Sequence, residues 1–307
     1  MQVLTTIEEF REAKAAFKGT WGFVPTMGYL HAGHVALVKR ARAENDHVAV
    51  SIFVNPTQFG PNEDFAAYPR DLQRDLDLLQ PHAVDLVFNP TPEVMYPPHF
   101  QTYVTVEEVT RHLEGAARPV HFRGVATVVT RLFNIVGAER AYFGQKDAQQ
   151  TIVIKRLVAD LAMPIQVVVC PTIREPDGLA MSSRNTYLNA EQRKAAQVLY
   201  RALCAAKGAY DKGERNGKEL RATMRRMIDG EPLASIDYVS AADPETLQEL
   251  PVEPLPQHRQ EHPVSATSPV HTEEGVLLSM AVRFGRTRLI DNFLYDDGQW
   301  LTGEFAD

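Results

Sequence analysis

Short apolar runs recur along the first part of the chain, at 22–25, 48–54, 84–88, 140–143 and 165–170. Between them lie segments whose apolar positions fall at helical spacing, at 7–17, 34–44, 71–80, 125–136 and 148–161. Continuous apolar runs of strand length, separated by amphipathic helices, describe a parallel α/β sheet covered on both faces. Such sheets bind ligands beyond the carboxyl ends of their strands. The loops that follow the apolar runs are therefore where chemistry is expected.

After Arg184 the pattern changes. Segments 190–212 and 218–229 read as helices, and 236–240, 277–282 and 289–292 as short strands, which makes a smaller α+β domain. The chain thus reads as two domains, 1–185 and 186–307. Segment 251–275 is rich in Pro, His, Gln and Glu and has no apolar period, so a mobile surface insertion is expected there. His258, His262 and His271 fall within it, where a solvated loop is preferred to a metal-binding tract. No internal repeat is present.

Composition narrows the class. The 307 residues are 44% hydrophobic and 23% charged, as in a soluble globular protein. A net charge of −7 argues against a dominant electrostatic grip on nucleic acid or anionic membrane, although one basic cleft remains compatible with it. The first residues lack the apolar core of a signal peptide, and no stretch approaches the roughly 20 apolar residues that span a bilayer. Cys170 and Cys204 are the only cysteines, too few for a disulfide framework or a zinc site. A reducing cytoplasmic setting is expected.

Candidate chemistry gathers in four loops. Pro25-Thr26-Met27-Gly28-Tyr29-Leu30-His31-Ala32-Gly33-His34 joins a strand to a helix beginning near Gly33. A helix start offers unpaired N–H groups and partial positive charge, which suit phosphate oxygens. His31 and His34, three residues apart, share one side of that turn and can donate to an α-phosphate as its charge builds. A capped helix start or half of a zinc site are the alternatives. Phe143-Gly144-Gln145-Lys146-Asp147 also follows a strand; Lys146 can neutralise phosphate charge and Asp147 can cap the next helix or meet a ribose hydroxyl, though such turns also serve as plain helix starts. The loop from Ile173 to Asn185 carries Met181-Ser182-Ser183-Arg184, with hydroxyl donors and a guanidinium fork for a triphosphate; an ordinary linker with a capping serine pair is its alternative. Asn55-Pro56-Thr57-Gln58 and Gln149-Gln150 supply neutral amides for a small hydroxylated carboxylate, or merely for backbone groups. His121-Phe122-Arg123-Gly124 precedes an apolar helix, where an arginine is commonly structural. No Walker-type phosphate loop and no Gly-x-Gly-x-x-Gly turn appears.

Taken in order and spacing, these segments, with Tyr68-Pro69-Arg70 and Thr287-Arg288-Leu289-Ile290-Asp291-Asn292, closely resemble the pantoate–β-alanine ligase family over nearly the whole chain. The resemblance implies a Rossmann-like nucleotidyltransferase domain, a small carboxyl-terminal lid and a homodimer. It implies that the (R)-pantoate carboxylate attacks the α-phosphate of Mg-ATP, and that the β-alanine amine then displaces AMP from pantoyl adenylate to give pantothenate. By position it assigns Met27, Gly28, Tyr29, Leu30, His31, Ala32, Gly33 and His34 to the ATP site, completed by Gly144, Gln145, Lys146, Asp147, Ile173, Met181, Ser182, Ser183 and Arg184. His34 would be the proton donor, acting with His31, Lys146, Ser182, Ser183 and Arg184 in catalysis. Gln58, Gln150 and Asn55 would hold pantoate, Gln58 also lying near β-alanine, and Asp75 would approach Mg²⁺. The 251–275 insertion and Gln145, where many members carry Glu, depart from the family pattern. Another adenylylating enzyme of the same superfamily is the runner-up, which the amide motifs and missing tRNA-binding features oppose. A paralogue kept as a binding module is opposed by intact His31, His34, Lys146 and Arg184.

Overall fold

A computed structural model describes residues 1–61, 63–252 and 275–306. Nearly all of the expected insertion, including His258, His262 and His271, lies outside the described residues. The chain divides into two compact units: Met1–Glu175 with Ala180–Thr186 and Glu304–Asp307, and Pro176–Leu179 with Tyr187–Gly303. That division is finer than a single cut after residue 185, because the chain's last residues return to the first unit.

In the first unit, strands β1 (Gln2–Leu4), β2 (Trp21–Thr26), β3 (His47–Ile52), β4 (Leu86–Phe88), β5 (Arg140–Gly144) and β6 (Gln166–Cys170) form one sheet of order β1-β4-β3-β2-β5-β6. Every neighbouring pair is parallel. The helices are α1 (Ile7–Ala15), α2 (Ala32–Glu44), α3 (Leu72–Leu79), the short α4 (Pro92–Met95) and α5 (Leu113–Ala117), α6 (His121–Val136) and α7 (Ala148–Asp160). Strand side chains alternate between two covered faces, which is why the apolar runs are unbroken in the sequence. On one face Val24, Val50, Val87 and Tyr142 pack with Leu37, Val38 and Ala41 of α2 and Leu79 of α3. On the other, rings meet tilted or edge-to-face from strand to helix: Phe10 with Phe88 at 5.3 Å, and Phe133 with Phe23 at 6.4 Å and Phe143 at 6.3 Å. The strand order reverses between β2 and β5, so the loops leaving these two strands border the crevice where open α/β sheets take their ligands.

Three details depart from the hydrophobic pattern. The edge strand β1 has too few residues, two of its three exposed, to leave an apolar run. Helix α6 begins at His121 and α2 at Ala32, each earlier than the apolar period indicates. A two-residue strand β7 (Ile173–Arg174) follows β6 and pairs in parallel with residues at the end of the chain.

The second unit holds α8 (Ala190–Ala195), α9 (Val198–Asp211) and α10 (Gly217–Asp229), so the expected 190–212 helix is broken in two. They accompany an antiparallel sheet of β8 (Ala234–Ala242), β9 (Val276–Phe284), β10 (Thr287–Asp296) and β11 (Gln299–Leu301), in the order β11-β10-β9-β8. Leu199, Leu203, Leu220 and Met224 of the helices share one core with Leu278, Met280 and Phe293 of the strands. The last strand, β12 (Glu304–Phe305), is the partner of β7 in the first unit. No helix among the described residues is long and apolar enough to cross a membrane.

Candidate active site

The turn from β2 into α2 is held from below by a buried carboxylate. Gly28 and Tyr29 both take positive φ, 83° and 50°. A Cβ on Gly28 would stand 3.0 Å from both Asp75 Oδ2 and Ile52 Cγ2, so only glycine passes there. Asp75, 1% exposed, accepts the Tyr29 N–H at 2.8 Å and the Leu30 N–H at 2.6 Å. Burial pushes the Asp75 carboxyl above its ordinary value, and these two amides pull the other way. Arg74 donates to the Leu30 carbonyl at 2.9 Å and lies 4.6 Å over the Tyr29 ring.

Above this support the two histidines lock each other. His31 is the N-cap of α2, and its Nδ1 accepts the Gly33 N–H at 3.1 Å. His34 Nδ1 in turn accepts the His31 N–H at 3.3 Å, closing a capping box made of imidazoles. A Cβ at Gly33 would fall 2.9 Å from His31 Cε1, so glycine lets that ring lie against the turn. An imidazole that accepts on Nδ1 carries its proton on Nε2. Both rings, 4.2 Å apart, therefore present Nε2–H donors. Burial first, then the charges of its neighbours His34, Lys146 and Arg74, drives His31 down to about 2. Burial and Lys146 bring His34 down to about 4. Both are neutral donors near pH 7.

Lys146 and Asp147 follow β5. The ammonium lies 3.5 Å from the Asp147 carboxylate. Burial works against the Asp147 charge, but Lys146, Arg184 and His121 outweigh it and keep the carboxyl below its ordinary value. Arg184 is gripped bidentately by Asp64, at 3.0 and 3.1 Å, and stands 5.8 Å over the Tyr68 ring. Ser183 meets the Tyr68 hydroxyl at 3.2 Å, and Ser182 Oγ accepts the Arg184 N–H at 3.3 Å. Met181 N–H donates to the Ile173 carbonyl at 2.9 Å, which ties this loop to β7.

The turn after β3 supplies the amides. Asn55, 1% exposed, donates to Gln58 Oε1 at 3.0 Å and to the Gly124 carbonyl at 3.2 Å. Its Oδ1 accepts from Tyr96 at 2.7 Å and Thr57 Oγ1 at 2.9 Å. Gln58 Nε2 lies 3.3 Å from Met27 Sδ, which brings this turn to the end of β2. The start of α6 presses on the same turn, since a Cβ at Gly124 would sit 2.4 Å from the Thr57 carbonyl oxygen.

The four loops thus converge within the first unit. Met27, His31, Gly33, His34, Gly144, Lys146, Asp147, Gln150, Ile173, Met181, Ser182 and Arg184 are all half-buried, as lining residues are. Several of the expected residues also support the turns of the site. Leu30 is fully buried, and its amide is taken by Asp75. Asn55 shapes its own turn through bonds to Gln58, Gly124 and Tyr96. Gln145 and Ser183 are likewise buried. Gln149 stitches the chain ahead of α6, donating to the Val109 and His112 carbonyls and accepting from Glu114 N–H. Both Asp75 oxygens accept main-chain amides of the turn, which gives this carboxylate a supporting part there. The pattern had left out Asp64 and Arg118, and gave Tyr68 and His121 no part of their own. Tyr68 stood in a family motif, but neither periodicity nor spacing ties it to Ser183 or Arg184.

A doubly covered parallel sheet, with imidazole donors, an ammonium and a guanidinium gathered at its switch point, defines an α/β enzyme that handles a phosphorylated ligand. A profile described as pantoate-beta-alanine ligase matches residues 2–294, and the chain belongs to that family. It is 60% identical to the pantothenate synthetase of Chloroflexus aurantiacus over 296 residues, covering 96% of this chain and 99% of the relative. The crystal structure of pantothenate synthetase from Thermus thermophilus is 48% identical and superposes with a TM-score of 0.84, covering 95% of this chain and 98% of that one. A pantoate-beta-alanine ligase from Francisella tularensis, solved with beta-gamma ATP and beta-alanine, is 34% identical with a TM-score of 0.73, covering 96% and 97%.

Proposed function

We propose that this chain joins (R)-pantoate to β-alanine, converting Mg-ATP to AMP and pyrophosphate and making pantothenate through pantoyl adenylate. The observation that carries the reading is the imidazole capping box, which aims two neutral Nε2–H donors beside Lys146 within a member of this family. A pantoate carboxylate oxygen attacks the α-phosphorus and the bond to pyrophosphate breaks. His31 and His34 donate to the phosphate oxygens as charge accumulates there, and Lys146 and Arg184 offset it. Ser182 adds a hydroxyl on the same loop. Gln58 and Gln150 hold pantoate by its hydroxyl and carboxyl oxygens, which orients the attack. In the second step the neutral β-alanine amine attacks the acyl carbon, AMP leaves with the bonding electrons, and the nitrogen sheds a proton.

Mg²⁺ belongs to this reading as part of the nucleotide substrate, not as a resident ion. Release of Arg184 from Asp64 frees its fork for the triphosphate. The same reading puts the enzyme in the cytoplasm as a homodimer, with the second unit as its lid. The free thiols Cys170 and Cys204 accord with a reducing compartment. The test is isotope exchange. With ATP, D-pantoate and Mg²⁺ but no β-alanine, labelled pyrophosphate should enter ATP. A folded protein that shows no exchange, yet makes pantothenate when β-alanine is added, overturns the two-step scheme.

A further inference from the structure

His121 lies outside the residues given a role above, yet it touches the turn that carries Gln58. Its Nδ1 lies 3.0 Å from the Gln58 backbone carbonyl oxygen, and its Nε2 lies 3.3 Å from Arg118 Nη1. A carbonyl can only accept, and a guanidinium can only donate. His121 therefore carries its proton on Nδ1, the opposite tautomer from His31 and His34. Arg118 is itself anchored by Glu63, at 2.8 and 2.6 Å, and adds a bond to the same carbonyl at 3.3 Å. The ring is 8% exposed, so water does not compete strongly for either nitrogen.

We infer that His121 is a positioning residue for the acid-binding amide, holding the Gln58 main chain through a one-way hydrogen-bond relay that starts at Arg118, which Glu63 anchors. This rests on the reading in which Gln58 binds pantoate. The relay explains an asymmetry of the turn. Its side-chain end is tied by Asn55 to Gln58 Oε1, and its main-chain end by His121 to the Gln58 carbonyl. With both ends held, the amide Nε2 keeps one direction, toward Met27. Loss of the His121 tie leaves the carbonyl with the longer Arg118 bond alone, and the amide loosens with it. Among the described residues the relay makes no hydrogen bond to His31 or His34, and His121 reaches Asp147 after β5 through electrostatics alone, so loss of the relay falls chiefly on the acid-binding turn.

The test compares His121→Asn, His121→Gln and His121→Ala with the wild type, measuring KM for pantoate, KM for ATP, kcat and the thermal midpoint. An asparagine amide overlays the ring's Nδ1 and restores the donor, whereas a glutamine amide overlays Nε2 and does not. His121→Ala and His121→Gln should raise the pantoate KM about five- to tenfold with the ATP KM within about twofold. His121→Asn should return the pantoate KM to within about threefold of the wild type. Equal pantoate KM values in the Asn and Gln variants, or parallel rises for both substrates, overturn the inference. Should the Ala variant fail to fold, the Asn–Gln comparison decides alone. A wild type that makes no pantothenate defeats the underlying reading instead, and is seen before any variant is made.

Discussion

His31 and His34 accept on Nδ1, while His121 donates from it; a protein that uses one ring in both senses binds each tautomer with a specific partner. This makes isosteric amides informative. His34→Gln retains a donor near the Nε2 position and should lose about tenfold in kcat, whereas His34→Asn and His34→Ala should lose about 10²–10³-fold, as measured by pyrophosphate exchange. The same rings set a pH dependence of stability. His34 and His121 both titrate at about 4 in the folded chain, held down chiefly by burial, against about 6.5 when unfolded. Between those values the unfolded chain binds protons that the folded chain refuses. Stability therefore falls as pH drops from about 6.5 toward about 4, and is insensitive to these groups above that window. Thermal midpoints recorded across this range should decline, and the double variant His31→Gln with His34→Gln should decline less steeply. A midpoint that rises on acidification contradicts the burial of these rings.

At the scale of elements, the loops act because rigid pieces press on them from behind. Gly124 is the clearest contact: Gly124→Ala must push α6 away from the Thr57–Gln58 backbone, costing about 1–3 kcal/mol and raising the pantoate KM. Denaturant titration and steady-state kinetics check both. Asp75→Asn replaces an acceptor of two amides with a group that turns an N–H₂ toward one of them. The ATP KM should rise about tenfold while the midpoint of the Mg²⁺ titration stays put; a shifted Mg²⁺ midpoint would place Asp75 at the metal. Strands β2, β3, β5 and β6 and the site loops behind them were legible in the sequence, because a doubly covered parallel strand must be apolar along its length. Asp75 was legible as an acid near the site but not as a prop, since nothing in a linear pattern says that α3 turns it under Tyr29. The supporting bonds of Asn55 and Gln149 were hidden for the same reason: an amide's partner is chosen by tertiary approach, not by its neighbours in the chain.

For the whole molecule, the site residues all fall in the first unit, and none falls between residues 253 and 274. Deletion of 257–272 should accordingly leave pyrophosphate exchange within about twofold of the full chain, since residues outside the site change the barrier little. Loss of exchange in a folded deletion variant would assign that segment a part in chemistry. The pairing of β12 with β7 has a consequence for how the molecule is made. The ribosome must complete the whole second unit before it delivers Glu304 and Phe305, the partners that Ile173 and Arg174 await. Vectorial synthesis normally lets an amino-terminal domain finish first. Here the nascent nucleotide-handling unit emerges with an open seam beside Ile173, and the polypeptide closes it only once more than a hundred further codons have been read.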